Sequence, residues 1–250
     1  MPRFAANLTL LFTELPYMER FAAAKAAGFD GVEVLYPYDC PVQEMRDRLV
    51  MNGLAFVLMN APMPNYTGAA QGFAAIPGGE ARFRRDFTRM LRYADVLKPT
   101  RIHLMAGVAE GAAAFDAFVA NLKWACKQAP KRAFTIEPLN TIDNPGYYLD
   151  TFELAAEVLD AVGAPNLGLQ FDTYHAQRIT GDALACWAAH GARASHVQIG
   201  NAPERHEPGP GPIDFAALFA RLDAGGYKGW VSAEYLPRST TMAGLGWLPR

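Results

Sequence analysis

Glu137 in FTIEPLN, Asp172 in LQFDTYH, Gln198 in SHVQIGN and Glu234 in VSAEYLP each sit near the C-terminal end of a short apolar run. A carboxylate buried in such a place is costly unless a cation or hydrogen bonds compensate it. Three carboxylates and one amide oxygen converging from consecutive strands would form an oxygen cage for one hard divalent cation, Mg²⁺ or Mn²⁺ in preference to Zn²⁺. A cation flanked by two glutamates, Glu137 and Glu234, is equipped to move protons on a hydroxy-carbonyl compound.

Other polar residues fall close to this series. His175 follows Asp172 by three positions, and suits either a metal ligand or a neutral imidazole bonded to a substrate oxygen. His103, in RIHLMAG, poses the same choice against a packed structural histidine. His196 precedes Gln198 by two residues, so on a strand both face the same way, with His196 deeper. His190 stands at an expected helix C-terminus, where the helix dipole accounts for it. Arg205, beside His206 and Glu207, is the first candidate to clamp an anionic substrate, because a guanidinium matches a carboxylate in two parallel hydrogen bonds. Asn7 and Glu33 are polar intrusions in the first two strands and are candidates for the pocket floor, Asn7 for substrate contact. Phe12, Tyr36, Tyr174 and Trp247 are candidates for aromatic walls or for core.

These residues need elements to hold them. Eight apolar runs read as strands: 4–10, 31–35, 55–60, 101–107, 133–139, 167–172, 195–200 and 230–236. Their Val, Ile, Leu and Phe content suits strands buried on both faces of a parallel sheet. Amphipathic stretches between them carry Gly and Pro stops at Gly28, Pro99, Pro130, Gly163 and Gly225, with Asp150 and Asp214 as cap candidates. The alternation predicts an α/β fold, a single (β/α)8 TIM barrel over residues 1–250. The tail from Pro237 is short for an eighth helix, which should be truncated. An open doubly wound sheet is the alternative, and the lack of GxGxxG after the first strand removes its dinucleotide-binding form. Two long Gly/Pro loops, 61–80 and 201–214, would emerge at the C-terminal face of the barrel beside the polar series.

Composition narrows the partners. Net charge is −2, with 23 basic and 25 acidic residues well mixed, so no basic stripe speaks for nucleic acid. The cluster Arg82, Arg84, Arg85, Arg89 and Arg92 has helical spacing and reads as a solvated face. No apolar run reaches membrane-span length, and Cys40, Cys126 and Cys186 form no pair of metal or disulfide spacing. The expectation is a cytoplasmic enzyme with no membrane partner, and a homo-oligomer is left open.

The phrases FAANLTLLF, GFDGVEVLYPY, FTIEPLN, FDTYH, HVQIGNAPERHEPGPGPIDF and AEYLP resemble the hydroxypyruvate isomerase family of the xylose-isomerase-like barrel superfamily. The resemblance implies that Glu137 and Glu234 act as proton donor and acceptor while holding the metal, and that Asp172 and Gln198 complete its site. It implies substrate contact by His175 and Arg205, and a small anionic hydroxy-carbonyl substrate: hydroxypyruvate, interconverted with tartronate semialdehyde through an enediolate. Four-carbon 2-oxo-acid isomerases in the family share nearly the same motifs. Ketose epimerases of the superfamily carry histidine where this chain has Gln198, which points away from sugars. Pro210 and Pro212 should make the second loop stiffer than is usual in the family. Ketose 3-epimerisation, a damaged-DNA endonuclease and a non-catalytic metabolite-binding barrel are the competing readings.

Overall fold

The computed structural model describes residues 2–62 and 71–249. Eight strands, β1 (Arg3–Asn7), β2 (Gly31–Glu33), β3 (Ala55–Asn60), β4 (Arg101–His103), β5 (Phe134–Ile136), β6 (Leu167–Asp172), β7 (Ala194–Ile199) and β8 (Trp230–Ala233), close in sequence order into a barrel. Every neighbouring pair is parallel, and β1 meets β8 with Phe4 opposite Val231. The open-sheet alternative is thereby excluded.

The helices are α1 (Arg20–Ala26), α2 (Val42–Met51), α3 (Glu80–Leu97), α4 (Gly111–Gln128), α5 (Phe152–Val162), α6 (Thr173–Thr180), α7 (Ala183–His190) and α8 (Phe215–Ala224). The Gly and Pro stops predict α1, α3, α4, α5 and α8 but miss α2, α6 and α7. Those three are ten, eight and eight residues long, and none ends at a Gly or Pro among the stops read from the sequence. α3 turns Arg84, Arg85 and Arg92 to solvent, as its spacing predicts. After β8 comes a six-residue 3₁₀ turn, Met242–Trp247, in place of a full helix. The cap of α5 differs from expectation by one residue. Thr151, not Asp150, accepts from Leu154 N, because its extended backbone aims the hydroxyl at the orphan donors of the first turn. Asp214 caps α8 as predicted.

β3 and β6 match their apolar runs and β7 is shifted by one residue, whereas β1, β2, β4, β5 and β8 are shorter than theirs. β4 stops at His103, β5 at Ile136 and β8 at Ala233, so Glu137 and Glu234 stand one residue past their strands. The barrel itself is layered. Ala5, Val57, Leu58 and Trp230 form a small apolar cluster apart from the main core. Gly31 faces it: a Cβ there would stand 2.7 Å from Val57 Cγ1 and 3.0 Å from the Trp230 ring, so the contact needs glycine. Two residues further along β1 comes Asn7, and four along from Trp230 comes Glu234, so the period of two carries the same face from apolar to polar. Of the two long loops, residues 63–70 of the first lie outside the described residues.

Candidate active site

The polar layer is a hydrogen-bonded belt across the barrel. Glu33, fully buried, accepts from Asn7 Nδ2 at 2.9 Å, Gln198 Nε2 at 2.8 Å and His196 Nε2 at 2.9 Å. Burial alone would raise its pKa, but the hydrogen bond and charge of His196, with the Gln198 bond, outweigh it and leave the carboxyl below its ordinary value. An ionised carboxylate only accepts, so Gln198 turns its NH₂ to Glu33 and its oxygen the other way. That oxygen accepts from Gln170 Nε2 at 2.8 Å, and the same NH₂ donates to Glu137 Oε2 at 2.7 Å. Thr135 completes the chain by donating to Gln170 Oε1 at 2.9 Å. Glu33 thus sets the polarity of the belt, and the belt orients Glu137 and Gln198.

Above the belt lies a cavity of about 220 Å³, lined among others by Tyr36, Asn60, His103, Glu137, His175, Arg205 and Glu234. This is smaller than the roughly 300–1,000 Å³ of drug-sized sites and suits a compact ligand. A larger groove, about 550 Å³, runs beneath Pro208–Pro212 against Phe215, Phe219 and Trp247. It offers a single carboxylate, Asp214, already spent on capping α8, and lacks the paired groups that proton transfer needs.

Asp172 ends β6, where its Oδ1 accepts from Tyr174 N at 2.9 Å and caps α6. Its Oδ2 accepts from Arg205 Nη2 at 2.7 Å, and the same nitrogen donates to Glu234 Oε1 at 2.7 Å. Arg205 reaches them from a left-handed backbone, φ +59°, a conformation that costs a non-glycine residue about 1–3 kcal/mol. Its ring partner is Tyr174, 5.0 Å below the guanidinium, and Leu236 N donates to its carbonyl at 2.7 Å. Burial would lower its pKa, but Glu234 and Asp172 more than restore it, so the side chain stays charged.

Burial pushes Glu137 well above the usual carboxylate range, and the charges of Glu234 and Asp172 push the same way. Glu234 is likewise raised by burial, against the opposing pull of Arg205. Asp172 is raised by burial and held back by Arg205. Three carboxyls in one dry pocket are unfavourable together unless positive charge joins them, which is an electrostatic demand for a cation. Glu234 Oε2 is buried without a partner, and carboxylate oxygens of Glu137 and Asp172 lie within 4.8 Å of one another beside His175. The residues therefore fit a small divalent cation. An amide oxygen has two lone pairs, so Gln198 Oε1 keeps one beyond its bond to Gln170.

His175 is better placed as a donor than as a ligand. Its Nδ1 accepts from Asn140 N at 3.0 Å, and a backbone N–H can only donate. Burial and the charge of Arg205 hold the ring neutral, well below its ordinary pKa. The single ring proton then sits on Nε2, which lies 3.8 Å from Asp172 Oδ2 and faces the site as a donor. His103 is also neutral, its pKa lowered to about 3 by burial and the neighbouring His196. Its Nδ1 is 3.4 Å from Glu137 Oε2 without hydrogen-bond geometry, and neither ring nitrogen has a partner.

Of the residues read from sequence, Glu137, His103, His175, Arg205 and Glu234 line the cavity, and Asp172 and Gln198 lie directly behind them. Asn7 does not line it. Its Nδ2 is spent on Glu33 and its Oδ1 on Thr9 N, because β1 ends a layer below the mouth. That corrects its expected role in substrate contact to one in the belt. His196 pairs with Glu33, and His190 with Glu153 at 3.4 Å on the outer surface. His206 Nδ1 meets Leu236 O at 2.7 Å, and Glu207 accepts from Arg238 N. Of the aromatics, Tyr36 lines the cavity, Phe12 is core, and Trp247 donates to Tyr235. Gln170 and Asn60 were not anticipated. Gln170 stands two residues before Asp172, so the strand period already places both on one face, and Asn60 is a strand-end polar residue like the rest.

Comparison with known proteins places this geometry. Residues 21–250 match the xylose isomerase-like TIM barrel family. The 2-oxo-tetronate isomerase of Cupriavidus necator is 44% identical, over 99% of this chain and 98% of that one. The hydroxypyruvate isomerase of Escherichia coli is 36% identical, over 99% and 98% respectively. A solved structure described as an AP endonuclease, family 2, from Brucella melitensis superposes with a TM-score of 0.94 at 40% identity, covering 99% of this chain and 98% of that chain. The chain belongs to the xylose isomerase-like TIM barrel family and is an isomerase.

Proposed function

We propose that the chain interconverts the 2-oxo and the adjacent oxo forms of a small hydroxy acid: hydroxypyruvate with tartronate semialdehyde, or the four-carbon equivalents. The observation that carries this reading is that Glu137 and Glu234 open on one small cavity whose only lining cation, among the described residues, is Arg205. Glu137 and Asp172, whose carboxylate oxygens lie within 4.8 Å of each other, would hold one Mg²⁺ or Mn²⁺ together with Gln198 and Glu234. When bound, such an ion polarises the carbonyl and acidifies the neighbouring C–H.

The chain's own groups do the rest. One glutamate takes the proton from the carbon bearing the hydroxyl, giving an enediolate, the other delivers a proton to the adjacent carbon, and the hydroxyl proton passes to the former carbonyl oxygen. Burial and neighbouring negative charge raise the proton affinity of both glutamates, and a bound cation would oppose that rise. Arg205 holds the substrate carboxylate, and the Nε2–H of His175 donates to a substrate oxygen. The belt below keeps Glu137 aimed at the cavity through Gln170. Relatives named hydroxypyruvate isomerase and 2-oxo-tetronate isomerase support the same chemistry. Epimerase structures such as 3-keto-D-glucoside 4-epimerase, with a TM-score of 0.80 at 18% identity, share the fold alone.

No helix among the described residues is long and apolar enough to cross a membrane. The three cysteines are free, which fits the cytoplasm. The test follows substrate loss by proton NMR for three- and four-carbon hydroxy-2-oxo acids, after chelation and again after adding Mg²⁺. Turnover that vanishes with chelator and returns with Mg²⁺ is expected. Failure of every acid to react in the metal-loaded protein overturns the reading.

A further inference from the structure

The cavity has two chemically distinct halves. The ends of β5, β6 and β8 and the loop after β7 contribute Glu137, Asp172, Glu234 and Arg205, all charged or chargeable. The ends of β2, β3 and β4 contribute Tyr36, Asn60 and His103, all neutral. Asn60 and His103 are register partners across β3 and β4, so their side chains stand side by side. Asn60 is 4% exposed and His103 1%, yet Asn60 Oδ1 and both His103 nitrogens lack any partner. Unsatisfied buried polar atoms lining a cavity are the mark of a ligand's missing half, since each costs free energy until something bonds to it.

Donor and acceptor roles say what that half must be. Asn60 Oδ1 is a bare acceptor, and the effect of its amide on the Tyr36 phenol, which favours ionisation, is that of a neighbouring donor. The Tyr36 proton rests on Met105 Sδ at 3.3 Å, a weak acceptor it can leave. His103, a neutral ring with both nitrogens unpartnered, offers one donor and one acceptor beside Asn60. A carboxylate would meet the bare Asn60 Oδ1 and be repelled. A hydroxyl donates to Asn60 Oδ1 and accepts from Tyr36.

We infer that Asn60, with Tyr36 and His103, forms a subsite for a hydroxyl one carbon beyond the reacting pair, and that Asn60 sets the preference for substrates that carry it. This rests on the proposed isomerase reading, in which the carboxylate lies at Arg205 and the reacting carbons lie between Glu137 and Glu234. The substrate tail then points to β3 and β4. A three-carbon acid has no further hydroxyl to offer, whereas a four-carbon acid has one.

The experiment compares kcat/KM for 3,4-dihydroxy-2-oxobutanoate and its 4-deoxy analogue, 3-hydroxy-2-oxobutanoate, in the Mg²⁺-loaded protein. A site built to bond a hydroxyl discriminates against the analogue lacking it, so the wild-type ratio should be about tenfold or more. Asn60→Leu should bring the ratio close to one, and Asn60→Asp, which keeps an acceptor oxygen at the same place, should restore part of it. A wild-type ratio near one overturns the inference, as does an unchanged ratio in Asn60→Leu. Should neither acid react in the wild type, the isomerase reading falls first and the subsite with it. Should Asn60→Leu fail to fold, the wild-type ratio still tests the subsite and the near-isosteric Asn60→Asp still tests Asn60, an unchanged ratio there with Asn60→Ser also unchanged overturning its role.

Discussion

Arg205 Nη2 lies 2.7 Å from Glu234 Oε1 and so stands where positive charge is most needed, between carboxyls that repel one another. The same nitrogen serves Asp172. A guanidinium and a divalent cation would compete for these oxygens. Arg205→Ala is therefore expected to tighten Mn²⁺ binding, by about tenfold or more given the removal of a unit charge from a poorly screened site. It should also raise KM for an anionic substrate by a comparable factor or more. Calorimetric titration with Mn²⁺ and steady-state kinetics check the two signs. Weaker metal binding in the variant would show that Arg205 supports the metal site instead of competing for it.

Glu137→Gln and Glu234→Gln test proton transfer separately. Each should lower kcat by about 10²–10⁴-fold, the usual contribution of a positioned acid or base. Glutamine keeps an oxygen for the cation, so Mn²⁺ should still bind, and its titration separates lost chemistry from lost metal. Substantial turnover in either metal-loaded variant removes that residue from the proton-transfer role.

His103 gives the metal-free fold an acid limb. Its folded pKa, lowered to about 3 chiefly by burial, lies below the roughly 6.5 of an unfolded histidine. Between those values the unfolded chain binds the proton and the folded one does not, so the contribution of His103 to stability falls as pH drops below about 6.5. From about pH 6.5 to pH 5 this contribution changes by about 2 kcal/mol. The raised carboxyls of Glu137, Glu234 and Asp172 act in the opposite sense, so the expected outcome is a difference: on lowering the pH, the urea midpoint of His103→Gln gains on that of the wild type. His175, lowered in the same direction, leaves a residual slope in the variant. Identical slopes in the two proteins would contradict the assignment.

Glu33 is predicted to matter most for stability. Glu33→Ala leaves the buried donors of Asn7, His196 and Gln198 facing a void. Breaking a buried charged network from one side costs about 3–5 kcal/mol. A urea melt should show that loss in the metal-free protein, where no bound cation masks it. An unchanged midpoint would mean that water replaces the carboxylate without cost.

Much of this was legible in the chain itself. The order of eight apolar runs, their Gly and Pro boundaries and the strand-end positions of Glu137, Asp172, Gln198 and Glu234 are local properties, and local patterns survive folding. The resemblance in motifs such as FDTYH and RHEPGPG extends the same local information. What the chain alone left open was contact between distant residues. Glu33 and His196 are 163 positions apart, and only barrel closure brings them to 2.9 Å. The role of Asn7 went wrong for that reason: its type suited the pocket, but the depth at which β1 ends decides which layer it joins. The donor role of His175 likewise depends on Asn140, which reaches it from the loop after β5, and the unpartnered Asn60 Oδ1 depends on which neighbours β2 and β4 supply. Residue type and spacing determine which groups reach the mouth of the barrel. Which of them bond to one another, and which are left for a ligand, is set by stagger and side-chain reach across strands far apart in sequence.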